Sequence, residues 1–138
     1  MQRVLPLLLA AAVLQGCASH SGRQCEDNFS TQGSFLTGKQ FTTYAVLPAT
    51  PPALAMGNAY KMLAREGFHV ESANEKAHVI AAYQNVNFSA KTAPINVIID
   101  PVGQGSKVTL TFVAAAGLYT PESSAQSEFC RYIDQVGH

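Results

Sequence analysis

Thr50-Pro51-Pro52-Ala53-Leu54-Ala55-Met56-Gly57-Asn58-Ala59-Tyr60-Lys61-Met62-Leu63-Ala64-Arg65-Glu66-Gly67-Phe68 is the stretch on which the fold turns. It reads as one amphipathic helix with a marked start and a marked stop. Thr50 is a residue that can cap free amides, and proline is tolerated in a first helical turn. Met56, Ala59, Tyr60 and Leu63 fall at i, i+3, i+4 and i+7, which gives one apolar face. Asn58, Lys61 and Arg65 take the other side, and the two cations also suit the carbonyl end of the helix. Gly67 is the stop, and Phe68 can fold back on Leu63 as the apolar contact of a glycine-capped end. A Met56/Tyr60 stripe could also form the wall of a ligand site; core packing is the simpler expectation.

Before this helix, Lys39 to Leu47 alternates with the period of a half-buried strand, with Phe41, Thr43, Ala45 and Leu47 on one face. Pro48 ends it. After the helix, Phe68 to Glu71 begins an extended segment and a short extra strand there is possible. Ala77 to Phe88 reads as a long strand with apolar residues on both faces, Val79, Ala81 and Tyr83 against Ile80, Ala82, Val86 and Phe88, which predicts cover on at least part of both sides. Ile95 to Asp100 and Lys107 to Ala114 alternate and are joined by a connection dense in turn residues, Asp100 to Ser106. Thr120-Pro121-Glu122 repeats the cap-and-proline opening, and Ala125, Phe129, Tyr132, Ile133 and Val136 share a face of a last helix with Cys130 at its margin. The expected fold is α+β in the order β-α-β-β-β-α. An antiparallel sheet with both helices packed on one face is the natural layer solution.

Residues 18–38 are rich in Ser, Gly, Gln and Asn, a composition that orders poorly alone and suits a flexible tether. Ahead of them Arg3 and the apolar run Val4 to Val13 have the form of an export signal. The run is shorter than the roughly 20 apolar residues of a bilayer span. It ends in Leu14-Gln15-Gly16-Cys17, which resembles the lipobox of bacterial lipoproteins. That resemblance implies removal of residues 1–16 and acylation of Cys17. Ala18, in place of an aspartate, implies delivery to the outer membrane with the protein facing the periplasm. The alternative is an ordinary secreted chain with a chance cysteine at the cut.

Once Cys17 is assigned to lipid, Cys25 and Cys130 remain, an even pair in an oxidising compartment. A disulfide tying the N-terminal arm to the last helix is the favoured reading; a buried free Cys130 with an unpaired Cys25 is the other. There is no Cys-x-x-Cys to suggest redox catalysis. The domain spans 39–138, and residues 39–136 resemble the helix-grip domain of the BamC family of outer-membrane assembly lipoproteins through their element order and the turn Arg65-Glu66-Gly67-Phe68-His69-Val70-Glu71.

The chain carries nine Lys+Arg and nine Asp+Glu, so nothing in its balance attracts polyanions, and nucleic acid is not an expected partner. Gly103-Gln104-Gly105-Ser106 lacks the Gly-Lys-Ser/Thr of a phosphate loop and precedes a strand. His69 and His78 could share a hairpin but have no third ligand with metal spacing, so no metal and no cofactor is expected. No stretch supplies a nucleophile with its base. The expectation is therefore a non-enzymatic lipoprotein that serves as a protein-binding module of an envelope complex. Its candidate contact surface is the first strand, at Lys39, Thr42, Thr43 and Tyr44, taken as a sheet edge. The alternative is a periplasmic inhibitor or immunity-type protein that blocks a toxin or hydrolase, with Phe88 to Pro94 and Leu118 to Pro121 as its loops.

Overall fold

The computed structural model describes residues 23–138 with the exception of Phe88. Along the chain it forms α1 (Gln24–Asp27), β1 (Ser30–Ser34), β2 (Gly38–Leu47), α2 (Pro52–Arg65), β3 (His69–Asn74), β4 (Val79–Asn85), β5 (Thr92–Val102), β6 (Gly105–Ala114) and α3 (Glu122–Val136). The strands make one antiparallel sheet in the order β1-β2-β6-β5-β4-β3. The expected β-α-β-β-β-α order is present as β2, α2, β4, β5, β6 and α3. β3 adds the extra strand foreseen near residues 68–71. The helices pack on one face of the sheet.

Alternation explains why the inner strands hold their register. Ala93, Ile95, Val97 and Ile99 of β5 are buried while Thr92, Pro94, Asn96, Ile98 and Asp100 are exposed. Val108 and Leu110 do the same for β6, and a one-residue slip would turn each set out to water. The core between sheet and helices centres on Phe41, Met62, Leu63, Ile80, Leu110 and Ile133. Four aromatic rings close its β1–β2 side: Phe41 lies 5.9 Å from Phe29 and 6.3 Å from Phe129, and Phe112 lies 5.5 Å from Phe129.

The stop of α2 has the anticipated form. Gly67 adopts φ +80°, its N–H donates to the Ala64 carbonyl, and the Phe68 N–H donates to the Leu63 carbonyl at 2.9 Å. The starts do not have it. Pro51 and Pro121 occupy the N-cap positions, and neither Thr50 nor Thr120 makes a capping bond. Thr50 is buried instead, where its carbonyl accepts a 2.7 Å hydrogen bond from the Ser106 hydroxyl.

Several boundaries move. Residues 24–34 belong to the domain, although their composition suggested a tether: α1 buries Cys25, and β1 pairs with β2 from Ser30↔Thr42 to Ser34↔Gly38. Backbone pairing against a neighbour orders a polar segment that could not order itself. β4 is buried on one face, at Ile80 and Ala82, while Val79, Ala81 and Tyr83 stay partly open because no helix crosses that side. Val86 lies beyond the strand, and Phe88 falls outside the described residues. On α2, Met62 is fully buried and Tyr60 is half exposed, which rotates the buried stripe off the one read from spacing.

Candidate functional site

The first strand cannot offer the edge expected of it. β2 is hydrogen-bonded on both sides, to β1 and to β6, so it has no free ladder to share with a partner. Its candidate residues also divide between faces. Thr43 is fully buried and its hydroxyl donates to the Cys25 carbonyl at 2.5 Å. Thr42 faces outward beside Thr111, with hydroxyls 3.4 Å apart. Tyr44 carries the Lys107 ammonium 4.3 Å above its ring. The Lys39 ammonium sits 3.9 Å from the Glu122 carboxylate. The free edges belong to β1 and β3. β1 is short and polar, and β3 carries a bulge between Val70 and Ser72 with Glu71 exposed, features that blunt strand addition.

Cys25 and Cys130 are joined as a disulfide with Cα atoms 5.5 Å apart, tying α1 to α3. Cys17 lies outside the described residues. His69 and His78 do not meet at a site. The His69 ring packs 5.2 Å from Tyr83, and His78 stands in the β3–β4 turn with φ +54°. Among the described residues no group of three or more His, Cys, Asp or Glu side chains could hold a metal ion. The glycine-rich stretch is a tight hairpin with Gly103 at φ +57°. A Cβ on Gly105 would come within 2.2 Å of the Leu47 carbonyl oxygen, so glycine there serves close backbone approach.

One charged cluster joins the two long helices. Arg131 of α3 holds both carboxylate oxygens of Glu66, at 2.6 and 2.8 Å, and also bonds Glu128; Gln135 donates to Glu66 at 2.8 Å. The hydrogen bonds from Arg131 hold the Glu66 carboxyl below its ordinary range, against the opposing effect of burial. Burial pushes the nearby Tyr132 phenol up to about 12, and the carboxylates of Glu66 and Glu128 add to that. This cluster is a structural seam between the two long helices.

Two surfaces remain that could meet another molecule. The first is the end of the sheet where the β1–β2 hairpin meets the loop after β6. Phe35 is 48%, Leu36 82% and Tyr119 84% exposed. The Gly117 N–H donates to the Phe35 carbonyl at 2.8 Å, and the Lys91 ammonium donates to the Ala116 carbonyl at 2.9 Å. These bonds bring together loops that are far apart in sequence, including both stretches expected to protrude. A hollow of about 290 Å³ beside Leu118 and Tyr119 adjoins them. The second surface is a groove of about 590 Å³ between the first half of α2 and the β3–β4 turn, with Met56 and Gly57 in its lining and Lys61, Glu75 and His78 around it. Sequence spacing placed Tyr60 in the core. Its half-exposed ring instead borders this groove, as the alternative ligand-wall reading of that stripe allowed.

No family model matches the sequence, and no curated protein matches it. Solved structures do match the fold. The crystal structure of Ara h 8.0201 aligns at a TM-score of 0.51 with 6% identity, covering 71% of this chain and 94% of that one. CalU16 from Micromonospora echinospora aligns at 0.58 with 4% identity, covering 79% and 82%. A conserved protein of unknown function from Enterococcus faecalis, EF2215, aligns at 0.53 with 6% identity, covering 83% and 78%. The three share a Bet v1-like fold. At such identities the likeness concerns the course of the chain and carries no activity with it.

Proposed function

We propose that this chain is a lipid-anchored outer-membrane protein facing the periplasm, and that it acts as a non-catalytic binding module of an envelope complex. Its partner is engaged through the Phe35, Leu36 and Tyr119 end of the sheet. The observation that carries this reading is the position of those three exposed apolar side chains relative to Arg23, the first described residue. Arg23 pairs with Glu26 and, at 2.5 Å, with Asp134 near the end of α3, beside Val46 and Leu47. The hairpin that carries Phe35 and Leu36 lies at the other end of β2, a ten-residue strand, roughly 30 Å away at about 3.3 Å per residue.

With Cys17 acylated, the segment between it and Arg23 reaches at most about 20 Å. Such a leash holds the Arg23 end near the bilayer and turns the aromatic end away from it. Confinement of that kind raises the effective concentration for a neighbour in the same membrane. Large exposed aromatic and aliphatic side chains grouped at one end are the composition of a protein contact.

A photo-crosslinking amino acid placed at Leu36 or Tyr119 in living cells should form an adduct with a defined envelope protein. The same probe at Gln104, at the opposite end, should not. Adducts that form only at Gln104, or none at either end, overturn the proposal. The inhibitor reading has one observation in its favour, the very exposed Tyr119 on the loop Leu118 to Pro121. It predicts that the adduct is a soluble hydrolase or toxin whose activity the purified protein abolishes.

A further inference from the structure

The groove beside α2 has three features that core packing does not account for. Gly57 lies within the helix, where glycine is disfavoured relative to alanine. A Cβ at Gly57 would meet nothing within 4 Å, so no close contact demands glycine there; its effect is to leave the groove lining open. Tyr60 lies one turn on and is 50% exposed beside the same space. His78 is the only non-glycine residue with positive φ among the described residues. It is fixed there by the Ile99 N–H, which donates to its carbonyl at 2.9 Å, and by the Asn74 side chain, which accepts from the Ala77 N–H. Left-handed backbone is uncommon at a non-glycine residue, although histidine is among those that adopt it in turns, and here it sets His78 at the groove.

The charges at this groove are also uncommitted. Lys61 and Glu75 line it, and neither side chain has a hydrogen bond or ion pair among the described residues, whereas Lys39, Glu66 and Arg131 are all paired. A lining apolar at Met56 and Tyr60 with one cation and one anion beside it is complementary to a particular kind of molecule. The volume is within the range of small-ligand sites. The strand register sets Leu47, Ser106, Pro101, Ile98, Val79 and Asn74 near one end of the sheet. The groove therefore lies at the end where Arg23 leads in.

We propose that this groove binds a zwitterionic amphiphile. Its apolar chain lies along Met56, Gly57 and Tyr60, and its head places an anionic group on Lys61 and an ammonium on Glu75. Phosphoethanolamine heads have this chemistry, either on a lipid or free in solution. The binding does not depend on acylation of Cys17, which would only turn this end toward a surface that carries such heads.

The test is a ¹⁵N chemical-shift titration of the mature chain carrying Cys17→Ser, so that failure of the lipid-anchor reading cannot affect it. Dihexanoylphosphatidylethanolamine, kept below its micelle concentration, should shift the amides of Gly57, Tyr60, Lys61, Ala73 and His78 saturably. Gly57→Leu, which fills the groove, should abolish those shifts while the dispersion of the remaining amides shows the fold intact. Lys61→Gln and Glu75→Gln, both at exposed positions, should each weaken binding about fivefold, the effect of one exposed ion pair. Unsaturable or scattered shifts would overturn the proposal, as would undiminished binding by the Gly57→Leu protein. Equal binding of glycerophosphoethanolamine would show that the apolar lining contributes nothing and overturn the amphiphile. Equal binding of dihexanoylphosphatidylglycerol would overturn the zwitterion.

Discussion

The two flanks of the sheet are built by different means. On the β1–β2 flank, α1 and α3 close over the sheet. The Cys25–Cys130 disulfide, the rings of Phe29, Phe41 and Phe129, and a hydrogen bond from Gln126 to the Glu26 carbonyl fill the space between them. On the β3–β4 flank only α2 stands over the sheet. It faces the β3–β4 turn across a groove lined by Ala53, Met56, Gly57 and Tyr60. The same layer architecture is thus packed tight on one flank and left hollow on the other. Interiors are otherwise dense, so the hollow marks the flank on which the core does not dictate the residues.

The largest test of this contrast is the disulfide. Its loop spans 105 residues, and closing a loop of that length restricts the unfolded chain by about 4–5 kcal/mol if the effect is wholly entropic. Urea unfolding of the paired Cys25→Ser, Cys130→Ser variant should show a loss approaching that size. A loss under about 1 kcal/mol would mean that the tight flank does not depend on its crosslink. Next comes Phe129, which is buried and contacts three other phenylalanine rings. Phe129→Ala should lose about 3–5 kcal/mol, whereas Tyr60→Ala on the hollow flank should lose far less in the same assay.

The seam between the helices gives a smaller, pH-dependent effect. Because the folded-state pKa of Glu66 is lowered, its contribution is complete above the ordinary carboxylate value and is lost as pH falls through the depressed one. Arg131 is half exposed, which limits the contribution to about 1 kcal/mol or less. Glu66→Gln should therefore lower stability by up to about that amount at neutral and alkaline pH and flatten its fall on acidification. A wild-type acid limb unchanged in the variant would assign that limb to other carboxylates. The smallest effect has the opposite sign. Gly57→Ala should raise stability by about 0.5–1 kcal/mol, because a methyl group enters open space. If melting temperature falls instead, the hollow is more closely packed than its geometry indicates.

Much of the fold could be read from local pattern. The Gly67 stop, the alternation of β5 and β6, and the buried face of α3 each arise from residues within a few positions of one another. The errors came where a distant neighbour decides. Ser30 to Ser34 has no apolar pattern and becomes a strand only because β2 lies alongside. Thr50 and Thr120 have capping chemistry, but the prolines that follow them occupy the cap positions. Tyr60 fits the helical stripe by spacing, yet it is half exposed and borders the groove facing the β3–β4 turn. The same reasoning explains the candidate sites. Cys25 and Cys130 could be paired from their count, while the groove depends on how α2 sits over the β3–β4 turn, which no periodicity reports. Its traces in the sequence are the Met56/Tyr60 stripe, which admits a ligand wall, and Gly57, a glycine inside a helix.

The strand order also fixes a sequence of events in time. β2 must await β6 for its inner partner, with Leu47 pairing to Ser106 and Lys39 to Ala114, while β3 through β6 can assemble as a local meander. If the chain is exported N-terminus first, Cys25 reaches the oxidising compartment 105 residues ahead of Cys130. During that interval the only other thiol on the emerged chain is Cys17, eight positions away in the sequence. If Cys17 is acylated as proposed, its thiol is withdrawn from competition. The lipid would then act as a protecting group, leaving Cys25 a single partner within the chain.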